Sequence, residues 1–138
     1  VRVSLFLADF AQTDDKGKIN AIGLGWTTVP TPLPAFSLVI ILDIDWNETN
    51  LLHPVRCELL TEDGEPVSVP GPVGLQPMVF EAAAEAGRPA GLAHGTAMRM
   101  PVAVAISGGL ALAPGRYEWR ASVQGFENAT ASEPFLVQ

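Results

Sequence analysis

Leu110-Ala111-Leu112-Ala113-Pro114-Gly115-Arg116-Tyr117-Glu118-Trp119-Arg120-Ala121-Ser122-Val123-Gln124-Gly125-Phe126 is the stretch that decides the fold class. Tyr117, Trp119, Ala121 and Val123 alternate with Arg116, Glu118, Arg120 and Ser122. A period of two places one set against a core and the other in water, which is the signature of a half-buried strand. Pro114-Gly115 in front of it fits the centre of a type II turn, with Pro fixing φ and Gly supplying a positive φ. The expected class is all-β and antiparallel.

The neighbouring sequence repeats the pattern. Ala97 to Ser107 reads as a strand with Met98, Met100, Val102, Val104 and Ile106 on one face, and Glu133 to Val137 as the last strand. Val1 to Asp9 alternates in the same way, and Ile19 to Val29 reads as a second strand with Ile22, Leu24 and Trp26 on one side. The prolines of Val29-Pro30-Thr31-Pro32-Leu33-Pro34 exclude helix and central strand there. Ala35 to Trp46 is apolar on both faces from Leu38 to Leu42, so it is either a covered central strand or an interface. Val55 to Leu60 carries Val55, Cys57 and Leu59 inward and ends at Asp63-Gly64, a hairpin signal. Val69 to Gly74 reads as loop. Met78 to Ala86 has helix propensity in Glu81-Ala82-Ala83-Ala84-Glu85-Ala86, but its alternation favours a strand, since context overrides propensity. The sum is about eight strands in one domain, residues 1–138, with short Gly/Pro turns that argue for a sandwich.

Charge narrows the partners. Fifteen acidic residues against eight basic ones give a net charge of −7, and the only lysines are Lys16 and Lys18. Nucleic acid and anionic membrane surfaces need a basic patch, which this chain lacks. One cysteine allows no intrachain disulfide, which leans toward a reducing, cytoplasmic compartment. No leader pattern is legible, and the apolar run Phe36–Leu42 is too short to span a bilayer. With 48% hydrophobic residues, apolar surface is expected to remain for a protein partner or a second copy.

Motifs that would carry catalysis are weak throughout. Asp43, Asp45, Asn47 and Thr49 echo the start of a calcium loop, but Glu48 stands where that loop needs Gly and Pro54 where it needs Glu. His53, His94 and Cys57 fall short of a zinc ligand set, and Cys57 reads as a buried small hydrophobe. Gly23-x-Gly25 opens no helix, so no phosphate loop is expected, and Ser107-Gly108-Gly109 reads as a turn. The carboxylate pairs Glu81/Glu85 and Glu58/Glu62 are ordinary for exposed strand faces. Asn47-Glu48-Thr49 and Asn128-Ala129-Thr130 match the glycosylation sequon, which has meaning only in a secreted eukaryotic protein. Trp26 and Trp119 read as core. Trp46, beside Asp45 and Asn47, is the tryptophan expected to be exposed, and Arg88 is a possible contact in the loop Gly87–Gly95. The candidate binding residues are therefore Trp46, Asp43, Asp45, Arg88 and His94. No catalytic residue, metal or cofactor is expected.

Leu112-Ala113-Pro114-Gly115-Arg116-Tyr117 with Phe135-Leu136-Val137 is similar to the closing turn and strand of many immunoglobulin-like modules. Leu7-Ala8-Asp9, Ala11-Gln12, Gly17-Lys18-Ile19-Asn20-Ala21-Ile22-Gly23, Trp26 and Glu58-Leu59-Leu60-Thr61-Glu62-Asp63-Gly64 resemble a family of single-domain bacterial proteins, largely actinobacterial, without assigned activity. Gly87-Arg88-Pro89 and Pro114-Gly115-Arg116-Tyr117-Glu118-Trp119 belong to the same resemblance. It implies an immunoglobulin-like Greek-key β-sandwich, a bacterial cytoplasmic setting and a strand at Met78 to Ala86. The expected function is a non-enzymatic module for protein interaction or self-assembly. A small-molecule or carbohydrate module using Trp46, and an unrecognised hydrolase, are the alternatives.

Overall fold

In the computed structural model, which describes residues 1–138, the alternating stretch forms the strand Gly115–Val123. Twelve strands are present: β1 (Arg2–Ala8), β2 (Phe10–Thr13), β3 (Ile19–Ile22), β4 (Thr28–Val29), β5 (Phe36–Ile44), β6 (His53–Thr61), β7 (Ser68–Gly71), β8 (Gly74–Pro77), β9 (Val79–Ala84), β10 (Met98–Ile106), β11 (Gly115–Val123) and β12 (Phe126–Val137). A single 3-10 turn at Trp46–Glu48 is the only helical element, and no helix is long and apolar enough to cross a membrane.

β11 is the middle of a five-stranded sheet in the order β4-β12-β11-β6-β9. All its pairings are antiparallel except β4 with β12. Trp119 and Ala121 are fully buried, and Leu59 and Cys57 of β6 stand directly opposite them. Ala121 leaves room beside the indole, the large-beside-small packing that fills a core without strain. A second sheet runs β1-β5-β10, with Phe36, Leu38, Ile40, Leu42 and Ile44 of β5 all buried. One apolar core of 22 residues draws on both sheets. Each fully buried Leu or Ile there contributes roughly 1.5–3 kcal/mol relative to exposure.

The double-faced strand is central and covered. β2 and β3 form a hairpin that folds back over the outer face of the β1-β5-β10 sheet. Ala8, Ala11 and Val39 make a small second core beneath it, and the Ala11 N–H donates to Ser37 Oγ at 3.2 Å. The second apolar face of β5 is thus used within the chain.

The free edges are blunted. β10 carries Pro101 on its unpaired side, where a missing N–H costs no ladder bond. β4 covers only Leu136 and Val137 of β12, so the rest of β12 is an edge. Glu133 on its inward face and Pro134 beside it act against pairing with another strand.

Several expectations are corrected. The strand count is twelve, not eight, because short strands form in stretches that read as loop. Ser68–Pro77 is a hairpin, β7–β8, rather than a loop. Ile19–Val29 is broken by a turn at Gly23 and Gly25, whose φ values of 67° and 90° end the strand, and Ile22 and Leu24 are exposed. The last strand begins at Phe126, not Glu133. Gly115 opens β11 with φ 152°, away from the roughly 80° that a type II turn asks of it. The strand expected within Met78 to Ala86, by contrast, is present as β9, because pairing with β6 outweighs the helix propensity of its alanines.

Candidate functional site

At one end of the two sheets the connections β5–β6, β9–β10 and β11–β12 come together. Asp45 leads out of β5 into the 3-10 turn Trp46–Glu48. Glu48 Oε1 accepts hydrogen bonds from the Asp45 N–H at 3.2 Å and from the Val1 nitrogen at 2.7 Å. Asn50 adopts φ 60°, which its short polar side chain tolerates, and its N–H reaches the Ala86 carbonyl at 2.7 Å. His53, buried at the start of β6, places Nε2 2.7 Å from the Glu48 carbonyl. A carbonyl only accepts, so Nε2 carries the proton.

Arg88 ties the second loop to the first. Its Nε donates to Thr49 Oγ1 at 2.6 Å and its Nη2 to the Trp46 carbonyl at 2.7 Å. The guanidinium carbon lies 4.3 Å from the centre of the Trp46 ring, in cation–π contact. The His94 ring meets the same indole edge-on at 4.8 Å. Thr49 Oγ1 in turn donates to the Trp46 carbonyl at 2.7 Å. One fork, one hydroxyl and one carbonyl close a latch between the two loops.

Of the five candidate residues, Trp46, Arg88 and His94 meet in this cluster, and Asp45 starts the turn beneath it. Asp43 is directed elsewhere, to Arg99 Nε of β10 at 2.8 Å. No group of three or more His, Cys, Asp and Glu residues is placed to hold a metal ion. Thr49, Glu48 and His53 are partners in the cluster that the sequence offered only for calcium, zinc or glycosylation and not as binding residues, and nothing in their local pattern announces their mutual contacts. Leu51 and Leu52 were also overlooked. They are 54% and 62% exposed, and an apolar pair inside a polar loop was the available signal.

Beside this end, on the outer face of the five-stranded sheet, lies an open depression of about 420 Å³. Pro54, Arg56, Glu81, Ser122 and Gln124 contribute to it, and the Gln124 N–H bonds the Pro54 carbonyl at 3.0 Å. Arg56 spans Glu81 at 3.2 Å and Glu58 at 3.6 Å. Under that face, burial and then the Glu58 charge push the Cys57 thiol up to about 12. Neither histidine hydrogen-bonds a serine, threonine or cysteine; His53 holds a carbonyl and His94 packs on Trp46. What the region offers is apolar contact, paired charge and amide and hydroxyl hydrogen bonding.

The chain belongs to the Family of unknown function (DUF6941), whose model matches residues 3–137. No curated protein and no solved structure matches it.

Proposed function

We propose that this chain is a non-catalytic recognition module, an immunoglobulin-like Greek-key sandwich that holds a protein partner at the end formed by its three clustered loops. Three features support the immunoglobulin-like reading. β4 runs parallel to β12 at the margin of a sheet that is otherwise antiparallel. Tyr117 at the start of β11 donates its hydroxyl to the Ala113 carbonyl at 2.8 Å, as the corner tyrosine of such domains does. Trp119 stands two residues later, where antibody domains place the second cysteine, and fills that core position with an indole. The bacterial, cytoplasmic setting is part of the same proposal and rests on the sequence resemblance and the unpaired Cys57.

The observation that carries the recognition reading is the exposed Leu51–Leu52 pair on a loop already fixed by Arg88 and Asn50. A loop fixed before binding loses little further entropy when a partner arrives. Two bare leucines on the loop that leads into Pro54, which lines a depression together with the Arg56–Glu81 ion pair, match an apolar centre with a polar rim. The test is site-specific photo-cross-linking in the native host, with the reactive residue at Leu51, at Leu52 and, as a control, at Lys16. Trapping of one defined protein or of a second copy of the chain from 51 and 52, and not from 16, is expected. Trapping from neither position, or equally from Lys16, overturns the proposal.

A further inference from the structure

At the opposite end, past the last residue of β1, the chain builds a small pocket. The Asp9 N–H bonds the Ile22 carbonyl at 2.9 Å, and the Gly25 N–H bonds the Leu7 carbonyl at 2.7 Å. The turn between Ile22 and Gly25 brings Gly23 against Asp9 so closely that a Cβ there would collide with the carboxyl group. Oδ2 of Asp9 occupies the space that a side chain at position 23 would need. Trp26 follows the turn and is wedged between the sheets. Its ring meets Phe36 of one sheet edge-on at 5.6 Å and Phe135 of the other at 5.8 Å.

Asp9, Trp26, Val29, Pro30, Pro34 and Phe36 contribute to a cavity of about 170 Å³. Asp9 is its only charged lining residue and belongs to none of the ion pairs in the protein. Apart from Thr28, the other walls are aromatic, aliphatic or proline, and proline walls are stiff. A carboxylate at the mouth of an aromatic and aliphatic pocket suits a cation on an apolar stem. The carboxylate pairs with the charge, and the indole adds attraction through its ring. The size excludes a nucleotide or other ligand of drug size, whose clefts run to about 300–1,000 Å³, and leaves room for a short alkyl chain. The shape of the charge is also selected. With Oδ2 turned toward Gly23, a compact ammonium, which needs one good acceptor, is a simpler match for Asp9 than a planar guanidinium, which needs two. The net charge of −7 draws cations toward the molecule in addition.

We propose that the Asp9–Trp26 pocket binds an alkylammonium group, of the kind carried by a lysine side chain. The site is independent of the loop cluster at the other end, so either reading can fail alone. The probes are n-butylammonium, standing for a free amine, and Nα-acetyl-lysine methylamide, standing for a lysine within a chain. Each is titrated into the ¹⁵N-labelled full chain at constant ionic strength. Saturable shifts are expected at the Trp26 indole N–H and at the Gly23 and Gly25 amides, with the Trp46 and Trp119 indoles unmoved. Asp9→Asn should weaken binding about tenfold or more, the loss of a charge-assisted hydrogen bond. n-Butanol, the neutral analogue, should give no saturable shift. Saturation by the methylamide assigns the pocket to a lysine in a partner chain, and saturation by butylammonium alone assigns it to a free amine. Absence of saturation by both probes, equal binding of n-butanol, or unchanged affinity in a folded Asp9→Asn protein overturns the proposal. The n-butanol comparison decides the matter should Asp9→Asn fail to fold.

Discussion

Removing the Arg88 side chain should unfasten one end of the molecule by an amount that its contacts set. Arg88→Ala deletes the bond to Thr49 Oγ1 and the bond to the Trp46 carbonyl. Arg88 is itself exposed, so each bond is credited with a net of about 1 kcal/mol rather than the larger value of a buried charge. The contact with the Trp46 ring adds about 0.5 kcal/mol at such a site. Because all three share one side chain, about 2 kcal/mol is the expected total. At about 2.1 cal/mol/K per residue, unfolding 138 residues has an entropy of about 0.3 kcal/mol/K, so the Tm should fall by about 7 °C. Urea titration should show the same loss with an unchanged slope. Hydrogen exchange should locate it: the Asn50 amide, bonded to the Ala86 carbonyl, should lose protection, while β11 amides lose only the global increment. Arg88→Lys is the discriminating variant. It keeps the charge but lacks the fork that reaches the hydroxyl and the carbonyl together, so it should recover less than half of the loss. Arg88→Lys as stable as the parent would refute the latch, because charge alone would then suffice. So would Arg88→Ala with no change in Tm and none at Asn50.

Two other expectations follow from burial. The Cys57 thiol, pushed up to about 12 by burial and the Glu58 charge, should resist Ellman's reagent at pH 8 in the folded protein and react fully in urea; rapid reaction of the native state would contradict its place in the core. Burial also raises the Glu133 carboxyl above its ordinary pKa. The folded state is thus favoured while that group is protonated, and the advantage is lost as pH rises through the folded-state value. Glu133→Gln should therefore raise the Tm at neutral pH and leave it unchanged in acid below the ordinary carboxylate range. The same Tm shift at both pH values would show that the variant acts through packing rather than ionisation.

The alternation of Tyr117, Trp119, Ala121 and Val123 was enough by itself to place β11, its inward face and the all-β class. Leu38 to Leu42 likewise declared a strand apolar on both sides. Both are local facts, because the period of two is built into the pleat and each residue's face follows from its own position. What covers a face is not local. The second side of β5 could equally have been an interface, and only the return of β2–β3 over it, held at Ala11 and Ser37, settled that it is interior. The broken strand after Ile22 follows the same logic, since Gly23 and Gly25 permit a turn but the ladder bonds of Asp9 and Gly25 to distant carbonyls impose it.

The candidate site divides along the same line. Residue type marked Trp46, Arg88 and His94 as side chains able to bind, but not that they bind one another. Asp43 looked equivalent to Asp45 until β10 brought Arg99 beside it. Asp9 and Trp26, separated in sequence, share a cavity only because one ends β1 and the other is wedged between the two sheets. Sequence determined which residues face inward in this protein, through a periodicity that each strand carries alone. Tertiary structure decided which residues are neighbours, because strand order and loop convergence are long-range consequences of burying one core, and no local pattern encodes them.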